Sequence, residues 1–517
     1  MSQSNSAGHR PESRDTYDAN QLSRRNLLKG AAATAAAATI ASGAKAQSDA
    51  QQSDLIVEEN RKPGTQEWLL KNPRVTSPHK LWHMFGMRCP WIEGYCSHAT
   101  AQVGDEIQFF ISTEPVADYT VDIYRMGYYG GDGGRLMKSI GPLKGITQPT
   151  PEPGDKLIIQ CDWSPSITMT IPDDWLSGVY VAKLTELKEG VDSYSIFIVS
   201  DNRKADFLFQ CSDMTWQSYN RWPSQYSMYC DGEKDNFTGR GIGVGLDRPY
   251  GKYTQLVDQP LSVGSGEWFL WEFPMAYWME QQGYDVSYVS NWDLHRQGID
   301  LVRRGKGFLS VGHDEYWTQP MFDALKQGVD EGLNIAFLCG NGAWCRLLLS
   351  PNPQGRPERA FERLGRFRPR ENTLLGAHTV SPAVGGGDWT CVKPDHWLFQ
   401  GTGMKAGDGV PGLVGWEFHG GPAEIEGLEV VATGPTDRRA KPDEADWEDR
   451  ERVPYTATIY PGPKGNFVFN AATCWWTDGL SAPPGYRRSD WYQKPQGPDE
   501  RVQQITRNML NKMTATG

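Results

Sequence analysis

The chain has 517 residues, 38% of them hydrophobic, with 20 Trp, 21 Tyr, 18 Phe and a formal net charge of -11. The aromatic content provides for a large core, and the acidic balance excludes the basic stripe expected of a nucleic-acid binder. Nine cysteines are too sparse for a disulfide scaffold, and their odd number leaves at least one thiol free.

The first segment, 1–46, reads as a twin-arginine signal peptide. Ser23-Arg24-Arg25-Asn26-Leu27-Leu28-Lys29 places two arginines ahead of an alanine-rich stretch from Gly30 to Gly43, and Ala44-Lys45-Ala46 offers small residues for cleavage. The apolar run is too short to span a bilayer, which takes about 20 residues. The product is therefore expected in the periplasm, with no membrane partner after cleavage. Twin-arginine export serves mainly proteins that fold before crossing, often around a cofactor.

Residues 47–78 are polar and read as a linker or surface arm. From 79 to 200, short alternating runs follow one another: Glu106 to Ser112, Tyr119 to Arg125, Ser166 to Ile171, Gly178 to Leu184 and Ser193 to Val199. Turn residues separate them, which predicts an antiparallel, Ig-like β-sandwich. Cys89 and Cys96 are close in sequence and are the expected disulfide pair. Cys211, Cys339 and Cys345 lie beside strand-like runs and read as buried thiols.

After Asp201 the pattern becomes α/β. Strands are predicted at Phe207–Gln210, Tyr284–Val289, Gly307–Val311, Asn334–Leu338 and Asn466–Asn470, with helices at Trp268–Gln282, Gln319–Glu331 and Asp499–Met513. Strands alternating with helices imply a parallel sheet. Ligands of such sheets bind beyond the carboxyl ends of the strands. The residues there are polar and aromatic: Cys211 to Asn220, Ser290 to His295, Gly312 to Trp317 and Cys339 to Trp344. Trp216 and Asn341, on this edge, are candidate substrate contacts.

His313-Asp314-Glu315 is the sharpest piece of that edge. A histidine and two carboxylates at a strand end can bind a metal or move protons. In an extended segment His313 and Glu315 point the same way. The bland alternative makes Asp314 and Glu315 solvated turn residues ahead of a helix capped by Thr318. Tyr219 and Tyr229 are ordinary core tyrosines taken singly. Together with a carboxylate they would offer all-oxygen donors suited to a hard cation such as ferric iron. Cys339 opens a metal-free route, a Cys-His-Glu triad, although the Gly-x-Cys-x-Gly elbow spacing is absent from Phe337-Leu338-Cys339-Gly340.

At these residues the sequence resembles the N,N-dimethylformamidase large (beta) subunit family, in its C-terminal domain. The motifs are Tyr124-Arg125-Met126-Gly127-Tyr128-Tyr129-Gly130-Gly131, Thr215 to Asn220, Trp271-Glu272-Phe273-Pro274, Gly283 to Tyr288, Gly312 to Trp317, Phe337 to Asn341 and Val468-Phe469-Asn470. The resemblance implies a glutamine-amidotransferase-like (flavodoxin-like) α/β domain over 201–517, preceded by the sandwich. It implies Fe(3+) held by Tyr219, Tyr229 and Glu315, with His313 and Glu417 as active-site acid–base groups. The implied activity is hydrolysis of a small amide, with a small partner subunit or a homo-oligomer. The family's chain is longer than this one, and the Tyr219–Tyr229 spacing is shorter here. A non-catalytic ligand- or glycan-binding protein is the rival reading.

Overall fold

Period-two alternation of apolar residues builds the first two sheets. The computed structural model describes residues 54–75, 88–223, 226–231, 243–251, 267–367, 369–380, 385–438, 454–486 and 497–515, all within one unit, Ser48–Gly517. The signal segment 1–46 lies outside them. Eight strands come first: β1 (Glu93–Cys96), β2 (Thr100–Ala101), β3 (Glu106–Ser112), β4 (Asp118–Met126), β5 (Gly134–Lys144), β6 (Ile167–Thr170), β7 (Gly178–Glu186) and β8 (Asp192–Val199). They form two sheets, β1-β3-β6 and β2-β8-β7-β4-β5. Pairing is antiparallel except between β2 and β8. Ile107, Phe109 and Ile111 of one sheet meet Val121, Ile123, Leu184 and Phe197 of the other in a shared core.

The expected Cys89–Cys96 disulfide is absent: both thiols are free and buried. Cys96 points into the core between the two sheets and lies 3.0 Å from Ser195 Oγ, whereas Cys89 packs in a different core. Nearness in sequence does not turn the two side chains toward each other.

Within the expected linker 47–78, the described residues form an anchored arm. It begins with helix α1 (Asp54–Asn60). The Trp68 ring is buried and stacks on Phe269 at 5.8 Å. The backbone N–H groups of Lys71 and Asn72 donate to the Asp192 carboxylate at 2.7 and 3.1 Å.

The second half carries a seven-stranded sheet. Its strands are β9 (Ala205–Cys211), β10 (Val286–Ser290), β11 (Gly305–Gly312), β12 (Asn334–Cys339), β13 (Glu429–Gly434), β14 (Tyr455–Pro461) and β15 (Phe467–Asn470), in the order β10-β9-β11-β12-β15-β14-β13. The first five run parallel; β14 is antiparallel to β15, and β13 is antiparallel to β14. Counting the parallel strands in chain order gives 2-1-3-4-5 across the sheet. Phe207, Phe209, Leu309, Val311, Ala336 and Leu338 face one core, and Leu208, Phe308, Ile335 and Phe337 face the other. Both faces are covered, so these strands read as continuous apolar runs.

Helices α2 (Asp213–Tyr219), α3 (Phe273–Gln282), α4 (Asn291–Gln297), α5 (Gln319–Glu331) and α6 (Glu500–Ala515) complete the layers. Met275 and Met279 of α3 and Ile505 and Met509 of α6 pack on the first face; Met321, Phe322 and Leu325 of α5 pack on the second. The helix expected over Trp268–Gln282 begins instead as a π turn, Trp268–Glu272. Pro274 has no N–H to continue an α-ladder back through that turn. The runs after β9 and β10 are the short helices α2 and α4. Ser290 caps α4 through a reciprocal pair with Asp293, each bond 2.9 Å, the Ser-x-x-acid signature of a helix start. Short strands between Cys345 and Arg438, in three further small sheets, were not foreseen.

Candidate functional site

The order 2-1-3-4-5 reverses direction between β9 and β11, and a crevice at such a switch point is where ligands bind. Tyr219 follows β9, His313 and Glu315 follow β11, and Asn341 follows β12. Gly312 lets the chain turn there: its φ is +73°, and an added Cβ would lie 2.4 Å from Trp271 Cβ. The three segments converge. Tyr219 Oη donates to Glu315 Oε2 at 2.6 Å, and Asn341 Nδ2 donates to Glu315 Oε1 at 3.0 Å. His313 Nε2 stands 3.3 Å from Glu315 Oε2 and 2.8 Å from Glu417 Oε2. The Tyr219 ring stacks on Tyr229 at 5.3 Å and approaches the His313 ring at 5.3 Å.

All of these side chains are buried except Glu417, whose side chain keeps 14% of its exposure. Burial therefore governs the titrations. Burial and the neighbouring Glu417 raise Glu315 to about 7, against the opposing pull of His313 and Tyr219. Burial, then the Glu315 charge, pushes the Tyr219 hydroxyl well above its ordinary value. Burial alone would depress His313, but contacts with Glu267, Glu315 and Glu417 outweigh it and hold the imidazole well above its ordinary value. Asp314 and Glu315 are thus not solvated turn residues. The Asp314 carboxylate turns away to accept from Ser310 Oγ at 2.8 Å and from the amide of Gln210.

Trp216 lies elsewhere. It packs in the core of the opposite face, and its indole donates to Glu272 Oε1 at 2.7 Å. Cys339 is fully buried, 3.6 Å from Ser310 Oγ, and burial pushes its thiol well above its ordinary value. A catalytic cysteine needs the opposite, a lowered thiol.

Two residues that matter to the geometry were missed. Glu267, just before the π turn, reaches His313 Nδ1 at 3.2 Å. His419 accepts from the Gly342 N–H at 3.0 Å and its Nδ1 meets Asn470 Oδ1 at 2.9 Å, so it braces the turn that carries Asn341. Burial lowers His419 to about 4, which keeps it neutral in that role. A Ser or Thr spacing or a periodic pattern flags neither.

The donor set suits a hard cation. His313, Glu315 and Glu417 each offer a ligand atom, all within 4.8 Å of one another. Asn341 Oδ1 is buried without a hydrogen-bond partner. Tyr219 Oη, 2.6 Å from Glu315 Oε2, adds a further oxygen at the same place.

The family described as N,N-dimethylformamidase beta subunit-like, C-terminal, matches residues 120–490. A twin-arginine translocation signal matches residues 21–41, so the chain carries the address for export to the periplasm. Among the described residues no helix is long and apolar enough to cross a membrane. The chain is 30% identical over 86 residues to the N,N-dimethylformamidase beta subunit of Paracoccus aminophilus, which covers 16% of this chain and 11% of the relative. It is 30% identical over 79 residues to the corresponding subunit of an Alcaligenes species, covering 14% and 10%. The matched segments thus span about a tenth of the curated relatives. Among solved structures, a PKD domain of an M14-like peptidase from Thermoplasmatales archaeon SCGC AB-540-F20 aligns at 14% identity, covering 21% of this chain and 93% of that one, with a TM-score of 0.13. With 371 consecutive residues matched, 120 through 490, the chain belongs to the N,N-dimethylformamidase beta subunit-like family.

Proposed function

We propose that the protein is a periplasmic hydrolase of a small amide C–N bond, working at the Tyr219–Glu315–His313–Glu417 cluster. The observation that carries this reading is the convergence of four polar side chains, three of them buried, from three separate segments at the switch point of a parallel sheet. The strand order 2-1-3-4-5 is that of flavodoxin-like sheets, which supports the glutamine-amidotransferase-like arrangement for 201–517. The name "beta subunit" carried by the relatives supports a small partner subunit.

Tyr219, Tyr229 and Glu315 would hold Fe(3+), with Asn341 Oδ1 beside them. When bound, the ion supplies a Lewis acid for the carbonyl or for water. Glu417 is the most open of the acids and accepts the proton of the attacking water. His313 Nε2, 2.8 Å away, passes a proton to the amide nitrogen as the C–N bond breaks. Water adds its oxygen to the carbonyl carbon, and an acid and an amine leave.

The test is metal analysis with a visible spectrum, followed by an assay of N,N-dimethylformamide for formate and dimethylamine. The expected result is about one iron per chain, a phenolate-to-iron colour and release of both products. Colourless, metal-free protein sinks the iron; iron-loaded protein inert toward small amides sinks the activity.

A further inference from the structure

We propose that Glu267 is the positioning residue that fixes the His313 ring: its carboxylate accepts a hydrogen bond from Nδ1–H and leaves Nε2 aimed at Glu417 and Glu315. The inference rests on the acid–base role given above to His313. The ring sits between carboxylates, with Glu267 Oε2 3.2 Å from Nδ1 on one side and Glu417 Oε2 2.8 Å from Nε2 on the other. The two sides differ in access. Glu267 keeps 1% of its side-chain exposure, whereas Glu417 keeps 14%. The deep carboxylate is shut away from solvent beside Nδ1, and the more open one faces arriving substrate and water.

The local structure places Glu267 for this task. It stands at the N-terminal edge of the π turn Trp268–Glu272, a helical irregularity often found at functional sites. Trp271, in the same turn, packs against Gly312 and brings its ring within 6.1 Å of His313. Glu272 points elsewhere, receiving the Trp216 indole. The irregular turn thus presents Glu267 and Trp271 to the histidine while Glu272 serves the core. An imidazole held at Nδ1 by a buried carboxylate has one orientation, with Nε2 turned to the open side of the site, the geometry by which carboxylates orient catalytic histidines.

The experiment uses full-length protein labelled with 15N-histidine, together with Glu267→Ala and Glu267→Gln. The wild type should show a far-downfield Nδ1 proton resonance, assigned by its loss in His313→Gln. Glu267→Ala should abolish it, and kcat for dimethylformamide should fall about 10–100-fold with KM nearly unchanged. Glu267→Gln keeps the shape and an acceptor oxygen, so the resonance should move upfield and kcat should recover in part. The Gln variant also decides the matter if the Ala variant fails to fold. A resonance unmoved in the Gln variant, or absent from the wild type, overturns the proposal. The resonance is read without substrate, so a wild type that shows it and hydrolyses no amide counts against the proposed activity alone.

Discussion

Glu315 is where the candidate site is most tightly drawn. It accepts from Tyr219 and Asn341 and lies beside His313. Removing it strands two buried donors, each costing about 1–3 kcal/mol, and takes away the carboxylate of the proposed cation cradle. Glu315→Ala should lose iron and amidase activity together, read by elemental analysis and product assay on the same sample. A non-catalytic binder would keep its ligand in this variant, so retained affinity for a small amide with no turnover in either protein favours that rival. His313 and Glu315 were legible in the sequence because alternate residues of an extended segment share a side. Glu417, 104 residues from His313, was visible only through the family resemblance. Glu267 left no trace, since neither spacing nor periodicity records what a π turn brings to a strand end.

At the scale of elements, five strands of the N-terminal sheets, the five parallel strands of the seven-stranded sheet and α5 were readable because apolar runs and a 3.6-residue period survive in the sequence, whereas β13 and β14 were not predicted. The structure extends most of them by a residue or two. The small sheets between Cys345 and Arg438 were not, because their strands are short and cut by glycine, proline and polar turns. The π turn was hidden for a different reason: its residues have helical periodicity, and only Pro274 hints that an α-ladder cannot pass. One contact fixes this turn to the site. At Gly312, an alanine would require a left-handed φ of +73° and would set its Cβ 2.4 Å from Trp271 Cβ and 2.8 Å from the Trp271 carbonyl oxygen. Strain and overpacking each cost about 1–3 kcal/mol. Gly312→Ala should therefore destabilise the protein by roughly 3 kcal/mol in urea unfolding, and any folded fraction should have a displaced His313 and a lower kcat. A stability within about 0.5 kcal/mol of wild type, the range of ordinary surface substitutions, would show that the turn yields.

Across the whole molecule, one buried ionic network joins the arm, β4 of the N-terminal sheets and helix α3. Arg125 donates to both Glu280 oxygens at 3.0 and 2.8 Å, with neither side chain exposed. Tyr288 and Asn60 donate to the same carboxylate at 3.0 and 2.9 Å. Glu59, on α1, accepts from Tyr129 and Arg135 at 2.8 Å each. Breaking the central pair strands a buried charge, so Arg125→Met should cost about 3–5 kcal/mol, and adding Glu280→Leu should restore much of it. The network also has a pH signature. Burial alone would raise Glu59, but Arg125, Lys62, Arg135 and Tyr129 together lower it from 4.5 to about 2. Between those values the unfolded chain binds more protons than the folded one, so the contribution is complete above pH 4.5 and is lost as pH falls through about 2. Melting temperature followed across that window should fall less steeply in Glu59→Gln than in the wild type. Equal slopes would mean that Glu59 titrates alike in both states, and the network would then hold the arm through packing and the Arg125–Glu280 pair alone.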